Sequence, residues 1–340
     1  MAELDAFIAA LPKAELHVHH VGSASPRTVA DLAARHEGTT AVPADLDRLA
    51  EYFTFTDFAH FITVYQTVAD LIRDATDVAT LTYDIARDLA AQQVRYAELT
   101  LTPYTSIVRG IPAEEFCDAV EDARQRARSE LGVTLAWCFD IPGEDGLPAA
   151  DLTLEVATQL RPDGLVSFGL GGPEEGVPRQ QFAPHFQHAK ALGLHSVPHA
   201  GESTGPESIW AALTKLGAER IGHGIAAAQD ASLLDYLRER GITLEVCPTS
   251  NVRTRSVPSL AEHPLPALVA AGVPVTINSD DPPLFSTTLN REYAIAADLL
   301  GLGADGVADL ARAAVRASFL AESDRKALLA EIDAYVLRPG

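Results

Sequence analysis

One unit recurs along this chain and constrains its fold more than any other feature. A short apolar, β-branched run is followed by a turn and then by an Ala/Leu-rich amphipathic stretch. The strand-like runs are Glu15–His19, Val94–Thr100, Thr134–Phe139, Leu165–Leu170, His195–His199, Arg220–Gly222, Thr243–Val246 and Val275–Asn278. Helical spacing fills the intervals at Thr80–Ala91, Ala113–Leu131, Ala183–Leu192, Ser208–Leu216, Ser232–Arg240 and Pro264–Ala271. Strands that alternate with helices lie parallel in βαβ units. Eight such units in 340 residues predict a closed (β/α)₈ barrel of the TIM type. An open doubly wound sheet would carry a Gly-rich phosphate turn after its first strand. Here that strand runs into HVHHVG, which is the wrong chemistry.

Residues 26–80 are too long for one connection. They open with the Pro-started helix pattern PRTVADLAARH and continue through an aromatic stretch containing Tyr52, Phe53, Phe55, Phe58 and Phe61. The expectation is one domain over 1–340, with a helical insert after the first strand. That insert would lie over the barrel mouth and wall a pocket.

Composition narrows the partners. The formal net charge of −21 has no basic cluster to offset it, so nucleic acid and anionic membrane surfaces are disfavoured. No run reaches the ~18 apolar residues of a membrane span, and the N-terminal stretch lacks the basic start of a signal peptide. Cys117, Cys138 and Cys247 are scattered and odd in number, which suits a reducing cytoplasm.

In such a barrel, functional side chains stand at the C-terminal ends of the strands. His17 and His19 alternate and share a face of the first strand, whereas His20 points the other way. PHAGE puts His199 at the fifth strand end with Glu202 just beyond, RIGHG puts His223 in the turn after the sixth, and NSDDP puts Asp280 and Asp281 after the eighth. Three imidazoles and a carboxylate (His17, His19, His199, Asp280) are donors suited to Zn²⁺. A metal there would bring hydroxide within reach at neutral pH. Glu202 could shuttle a proton, and His223 could hydrogen-bond the attacking hydroxide or a developing oxyanion. By contrast, His185 and His188 read as outer-ring surface residues, and His195 as lying at the opposite face. His36, His60 and His263 show no partner pattern.

The motifs PKAELHVHHVGS, SFGLGGPE, PHAGE, RIGHG, EVCPTSN and TINSDDP resemble the adenosine deaminase family of the amidohydrolase superfamily, in order and spacing, from Pro12 to about Leu320. The resemblance implies one zinc per chain, held by His17, His19, His199 and Asp280. It implies Glu202 as the acid that protonates purine N1, and His223 as the residue that positions hydroxide. Asp281 matches the N7 contact, and the Gly172 backbone N–H matches the N3 contact. The implied reaction is hydrolytic deamination at C6 of a 6-aminopurine nucleoside. LVSFGL offers no Lys for a second metal.

Two departures stand out. The family pattern H-x-H-L-D-G has an Asp that meets the ribose 5′-hydroxyl, and Val21 occupies that position here. Thr100 replaces an Arg common in the family. Both features resemble the actinobacterial branch that deaminates 6-aminodeoxyfutalosine on the way to menaquinone. In that reading Phe55 and Phe58 help cover the added ring, and Arg253 or Arg255 meets its carboxylate. Adenosine, free adenine and a non-catalytic nucleoside-binding role are the alternatives. A nucleic-acid deaminase conflicts with the charge and would use Cys ligands.

Overall fold

The computed structural model describes residues 2–54 and 58–337. Eight parallel strands follow chain order around one sheet: β1 Lys13–His19, β2 Val94–Leu101, β3 Thr134–Pro142, β4 Leu165–Gly171, β5 His195–Ala200, β6 Arg220–His223, β7 Thr243–Val246 and β8 Val275–Ile277. The ring closes just past β8. Asp280 bridges Val18, accepting from the His19 N–H at 2.9 Å and donating its own N–H to the His17 carbonyl at 3.0 Å. The expected barrel is therefore present. β6 runs one residue further than expected, so His223 ends the strand rather than sitting in the next turn.

Local chemistry explains the helix boundaries. Ser25 accepts from the Thr28 N–H and Pro26 fills the first turn of the helix Pro26–Arg35. Asp74 caps the helix Ala75–Ala91 through the Asp77 N–H. Asp230 starts the helix Ala231–Arg240, and Gly241, in the left-handed region, ends it.

The insert between β1 and β2 contains the helices Pro26–Arg35, Leu46–Tyr52 and Phe58–Ala69 before the crossover helix Ala75–Ala91. Thr28 Oγ1 donates to Asp84 Oδ2 at 3.0 Å and ties the insert to that crossover. Phe53 is buried in the core, so it packs the insert instead of covering a pocket. Phe55 lies outside the described residues, as do the side chains of Phe58 and Phe61.

Three histidines depart from the expectations. His185 is buried and pairs with Asp151 at 2.8 Å, whereas His188 is exposed as expected. His36 pairs with Asp77 at 2.9 Å. His263, which shows no partner in the sequence pattern, is buried in a hydrogen-bond chain. His195 begins β5 at the expected face, stacked on Phe319 and paired with Glu219.

Candidate functional site

The strand ends bring His17, His19, His199, His223, Glu202 and Asp280 together at one mouth of the barrel. His20 points away from them and meets Thr82 Oγ1 at 2.9 Å. The rings of His17 and His199 are 4.5 Å apart between centroids, and those of His17 and His19 5.3 Å. His19 Nε2 approaches His199 Nε2 to 3.2 Å and Asp280 Oδ1 to 3.2 Å, and His17 Nε2 lies 3.6 Å from the same oxygen.

What sits on the far nitrogen of each ring decides what the near nitrogen offers. His17 Nδ1 faces Glu245 Oε2 at 2.9 Å, an acceptor-only carboxylate, so Nδ1 carries the proton and Nε2 presents a lone pair. That Nε2 is buried and has no hydrogen-bond partner among the described residues. His199 Nδ1 donates to the Leu170 carbonyl at 3.1 Å, which frees its Nε2 in the same way. Converging lone pairs repel one another unless a cation lies between them. The electrostatics agree. A positive charge at Nε2, whether a proton or a metal ion, is favoured: burial opposes charging His17, but Asp280 and Glu245 outweigh it and raise the ring to about 10. The site favours positive charge at an orphaned donor, and three imidazoles with one carboxylate fit a divalent metal of the zinc class.

Asp280 is set for this role by its backbone, at φ 64°. A non-glycine residue in the left-handed region costs about 1 kcal/mol or more and marks a position that its surroundings enforce. Ser250 Oγ donates to its Oδ2 at 2.6 Å. His223 also has a positive φ, at 58°. Cys247 Sγ lies within 4.8 Å of ligand atoms of His17 and Asp280. Burial pushes that thiol above its ordinary range.

Glu202 borders a cavity of about 530 Å³ between the loops after β5, β6 and β7. Burial, then the nearby Asp280 and Glu174 charges, raise its carboxyl to about 8. Its Oε2 lies 3.5 Å from His223 Nε2, and its Oε1 accepts from Thr254 Oγ1 at 3.2 Å. Asp281 is buried, its Oδ1 has no hydrogen-bond partner among the described residues, and burial followed by the Asp280 charge raises it to about 7. A Cβ on Gly22 would come within 1.5 Å of that oxygen, so only glycine leaves Asp281 its place. Gly172 follows β4 at φ 74°, with the Glu144 carboxylate packed where a side chain would go.

Val21 is half-buried and lines a narrow crevice with Tyr65, Thr100 and Thr102. Tyr65 brings the insert helix Phe58–Ala69 to the site, where burial, and then the charges of Asp281, Asp140 and Asp280, hold its phenol protonated. Arg253 ends the helix Pro248–Arg253, exposed. Arg255, rather than Arg253, lines the cavity beside Glu202.

Sequence reasoning assigned no role to Glu245, Ser250, Asn251, Glu174 or Arg179. Glu245, Ser250 and Asn251 lie in the motif EVCPTSN, and Glu174 closes SFGLGGPE. The signal was there, but the roles needed three-dimensional partners. Glu245 joins His17 to Arg220, whose Nε donates to it at 2.6 Å and whose other arm pairs with Glu98. Arg179 is buried among Glu174, Asp140, Glu202 and Glu144, where it offsets their charge.

The family model described as adenosine deaminase matches residues 12–335. A protein named aminodeoxyfutalosine deaminase from Streptomyces coelicolor is 63% identical, over 98% of this chain and 86% of that protein. One of the same name from Streptomyces avermitilis is also 63% identical, over 98% and 93%. An adenine deaminase from Cupriavidus metallidurans is 38% identical over 95% and 90%. Among solved structures, the adenine deaminase of Arthrobacter aurescens superposes with a TM-score of 0.91 at 31% identity, covering 97% of this chain and 100% of that one. With a family match over nearly its whole length, the chain belongs to the adenosine deaminase family and is a hydrolase that deaminates aminopurines.

Proposed function

We propose that this enzyme is a single-zinc deaminase of a 5′-modified 6-aminopurine nucleoside, 6-aminodeoxyfutalosine, acting in menaquinone synthesis in the cytoplasm. The observation that carries the chemistry is the set of inward lone pairs on His17 and His199 beside His19 and Asp280. Those four residues would hold the cation, which supplies a hydroxide nucleophile at neutral pH when bound.

The chain's own groups then divide the work. Glu202, protonated near neutral pH, delivers its proton to N1 as hydroxide adds to C6. Addition to C6 makes the carbon tetrahedral. The C6–N bond then breaks, ammonia takes the hydroxyl proton, and the C6–O bond becomes the carbonyl. His223 Nε2 lies 3.5 Å from Glu202 and 3.8 Å from Asp280 Oδ2, which suits a donor to the attacking oxygen. Asp281 meets N7, and the Gly172 N–H meets N3.

Substrate identity rests on the two Streptomyces relatives and on Val21. A buried hydroxyl against valine stays unpaired, at a cost of about 1–3 kcal/mol. A 5′ carbon in the same place does not incur that cost. The binding-only alternative is disfavoured because the ligand set and Glu202 are intact. No helix among the described residues is long and apolar enough to cross a membrane.

The test is kcat/KM for 6-aminodeoxyfutalosine, adenosine and adenine side by side, followed by ammonia release. A strong preference for the first supports the proposal. A preference for adenosine or adenine would leave the chemistry standing and refute the substrate.

A further inference from the structure

Asn251 and His263 fix one hydrogen on His223. The chain of contacts begins at a backbone group whose polarity is not in question. The Leu265 N–H donates to His263 Nδ1 at 3.1 Å, so that nitrogen is an acceptor and the proton of His263 sits on Nε2. His263 Nε2 faces Asn251 Oδ1 at 3.2 Å, and it donates. The Asn251 amide is thereby oriented, with its NH₂ toward His223 Nδ1 at 3.1 Å. The reverse amide orientation would set a second donor against the Leu265 N–H. His223 Nδ1 must therefore accept, and its remaining hydrogen is on Nε2. His263, Asn251 and His223 are all buried, so water does not compete for these bonds.

We infer that His263 and Asn251 are positioning residues that lock His223 in its Nε2–H tautomer, making it a hydrogen-bond donor to the reacting oxygen rather than a base or a metal ligand. The geometry at the other end fits. Nε2 points between Glu202 Oε2 at 3.5 Å and Asp280 Oδ2 at 3.8 Å, beyond a normal hydrogen bond to either. A ring protonated there has no lone pair to give a cation, although its ligand-type atoms lie within 4.8 Å of those of His17 and His199. His17 and His199 meet acceptors at Nδ1 and turn lone pairs inward, whereas His223 meets a donor and turns a proton inward.

The inference rests on the proposed part of His223 in the deamination, and its test separates the two. The experiment labels histidine ring nitrogens with ¹⁵N in the holoenzyme and reads each tautomer from long-range ¹⁵N–¹H correlations, with His223 assigned through H223Q. The expected spectrum has an unprotonated Nδ1 and a protonated Nε2 on both His223 and His263. In Asn251→Asp a carboxylate accepts from both rings, so His223 should reverse to Nδ1–H. Turnover of the best of the three purines should then fall roughly 10²–10³-fold in kcat, with KM little changed, as for loss of one donor to a developing oxyanion. His263→Gln can still accept from Leu265 and donate to Asn251, so it should keep the His223 signature and most of kcat, whereas His263→Leu should not. A wild-type His223 with its proton on Nδ1 overturns the inference, and that reading is available even if a variant fails to fold. Reversal in Asn251→Asp with undiminished kcat overturns it as well. A wild-type enzyme with the expected spectrum and no turnover of any aminopurine refutes the functional reading, but leaves the tautomer assignment intact.

Discussion

The Glu174 carboxylate accepts the backbone N–H of Glu202 at 2.7 Å. It also accepts from the N–H groups of Gly201 and Ser203 and from Thr204 Oγ1, so one side chain holds the whole turn that carries the proposed acid. These donors keep Glu174 ionised despite its burial, with its carboxyl below the ordinary range. Glu174→Gln turns one oxygen into an NH₂ group that faces donors. The turn should shift, and kcat should fall about 10–100-fold, because a small misplacement of a catalytic group is costly. Metal content should be unchanged. The check is kcat and KM alongside metal analysis. A variant with normal kcat would show that the turn holds Glu202 without Glu174.

Glu245 orients His17 and is itself held by Arg220 at 2.6 Å. Such carboxylate partners fix the tautomer and raise the basicity of a ligating imidazole. Glu245→Gln keeps the shape but can turn an NH₂ group toward Nδ1, which favours the tautomer with no lone pair at Nε2. Zinc should bind about 10–100-fold more weakly, measured by competition with a chromophoric chelator. Activity should recover in excess zinc. Unaltered affinity would mean that His17 contributes little to the metal, or that its ring is oriented without Glu245.

The barrel and the cluster of histidines at its mouth were legible because both depend on simple periodicity. Alternation placed His17 and His19 on one face, and the rule that function sits at strand ends selected His199 and Asp280 from among many polar residues. The supporting residues were not legible, because their meaning lies in long-range pairing. His263 and Asn251 are only 12 positions apart, but nothing in EVCPTSN or AEHPL announces a shared hydrogen bond. Gly22 reads as a turn glycine, whereas the structure gives it a different reason, the carboxylate of Asp281 against its Cα. Likewise His185 sits on a helix whose pattern suggests an outer face, but its partner Asp151 comes from the preceding helix, Gly146–Gln159.

Val21 sets an apolar surface beside Tyr65, at the position where the resembling H-x-H-L-D-G pattern carries an Asp. Val21→Asp should restore an acceptor for a 5′-hydroxyl and set a charge against a 5′ carbon. A hydrogen bond that avoids an unpaired buried hydroxyl is worth about 1–3 kcal/mol, so the kcat/KM ratio of adenosine to 6-aminodeoxyfutalosine should rise by roughly 5–150-fold. Measuring both substrates on wild type and variant decides it. An unchanged ratio would remove Val21 from the 5′ pocket.

His263 gives the fold a pH dependence that can be isolated. Burial pushes its imidazole from the ordinary 6.5 to about 4. Between those values the unfolded chain binds a proton that the folded chain refuses, so acid favours unfolding. The stability tied to the neutral ring is fully present above about pH 6.5, declines as pH falls, and is gone below about 4. At about 1.4 kcal/mol per pH unit it amounts to about 3 kcal/mol in full, and about 2 kcal/mol by pH 5. His263→Gln has no such proton to take up. Urea unfolding of wild type and His263→Gln at pH 7 and pH 5 should show the difference between them moving by about 2 kcal/mol in favour of the variant at the lower pH. A constant difference would mean that the folded protein accommodates a charged His263. That would break the hydrogen bond from the Leu265 N–H on which the orientation of Asn251 depends.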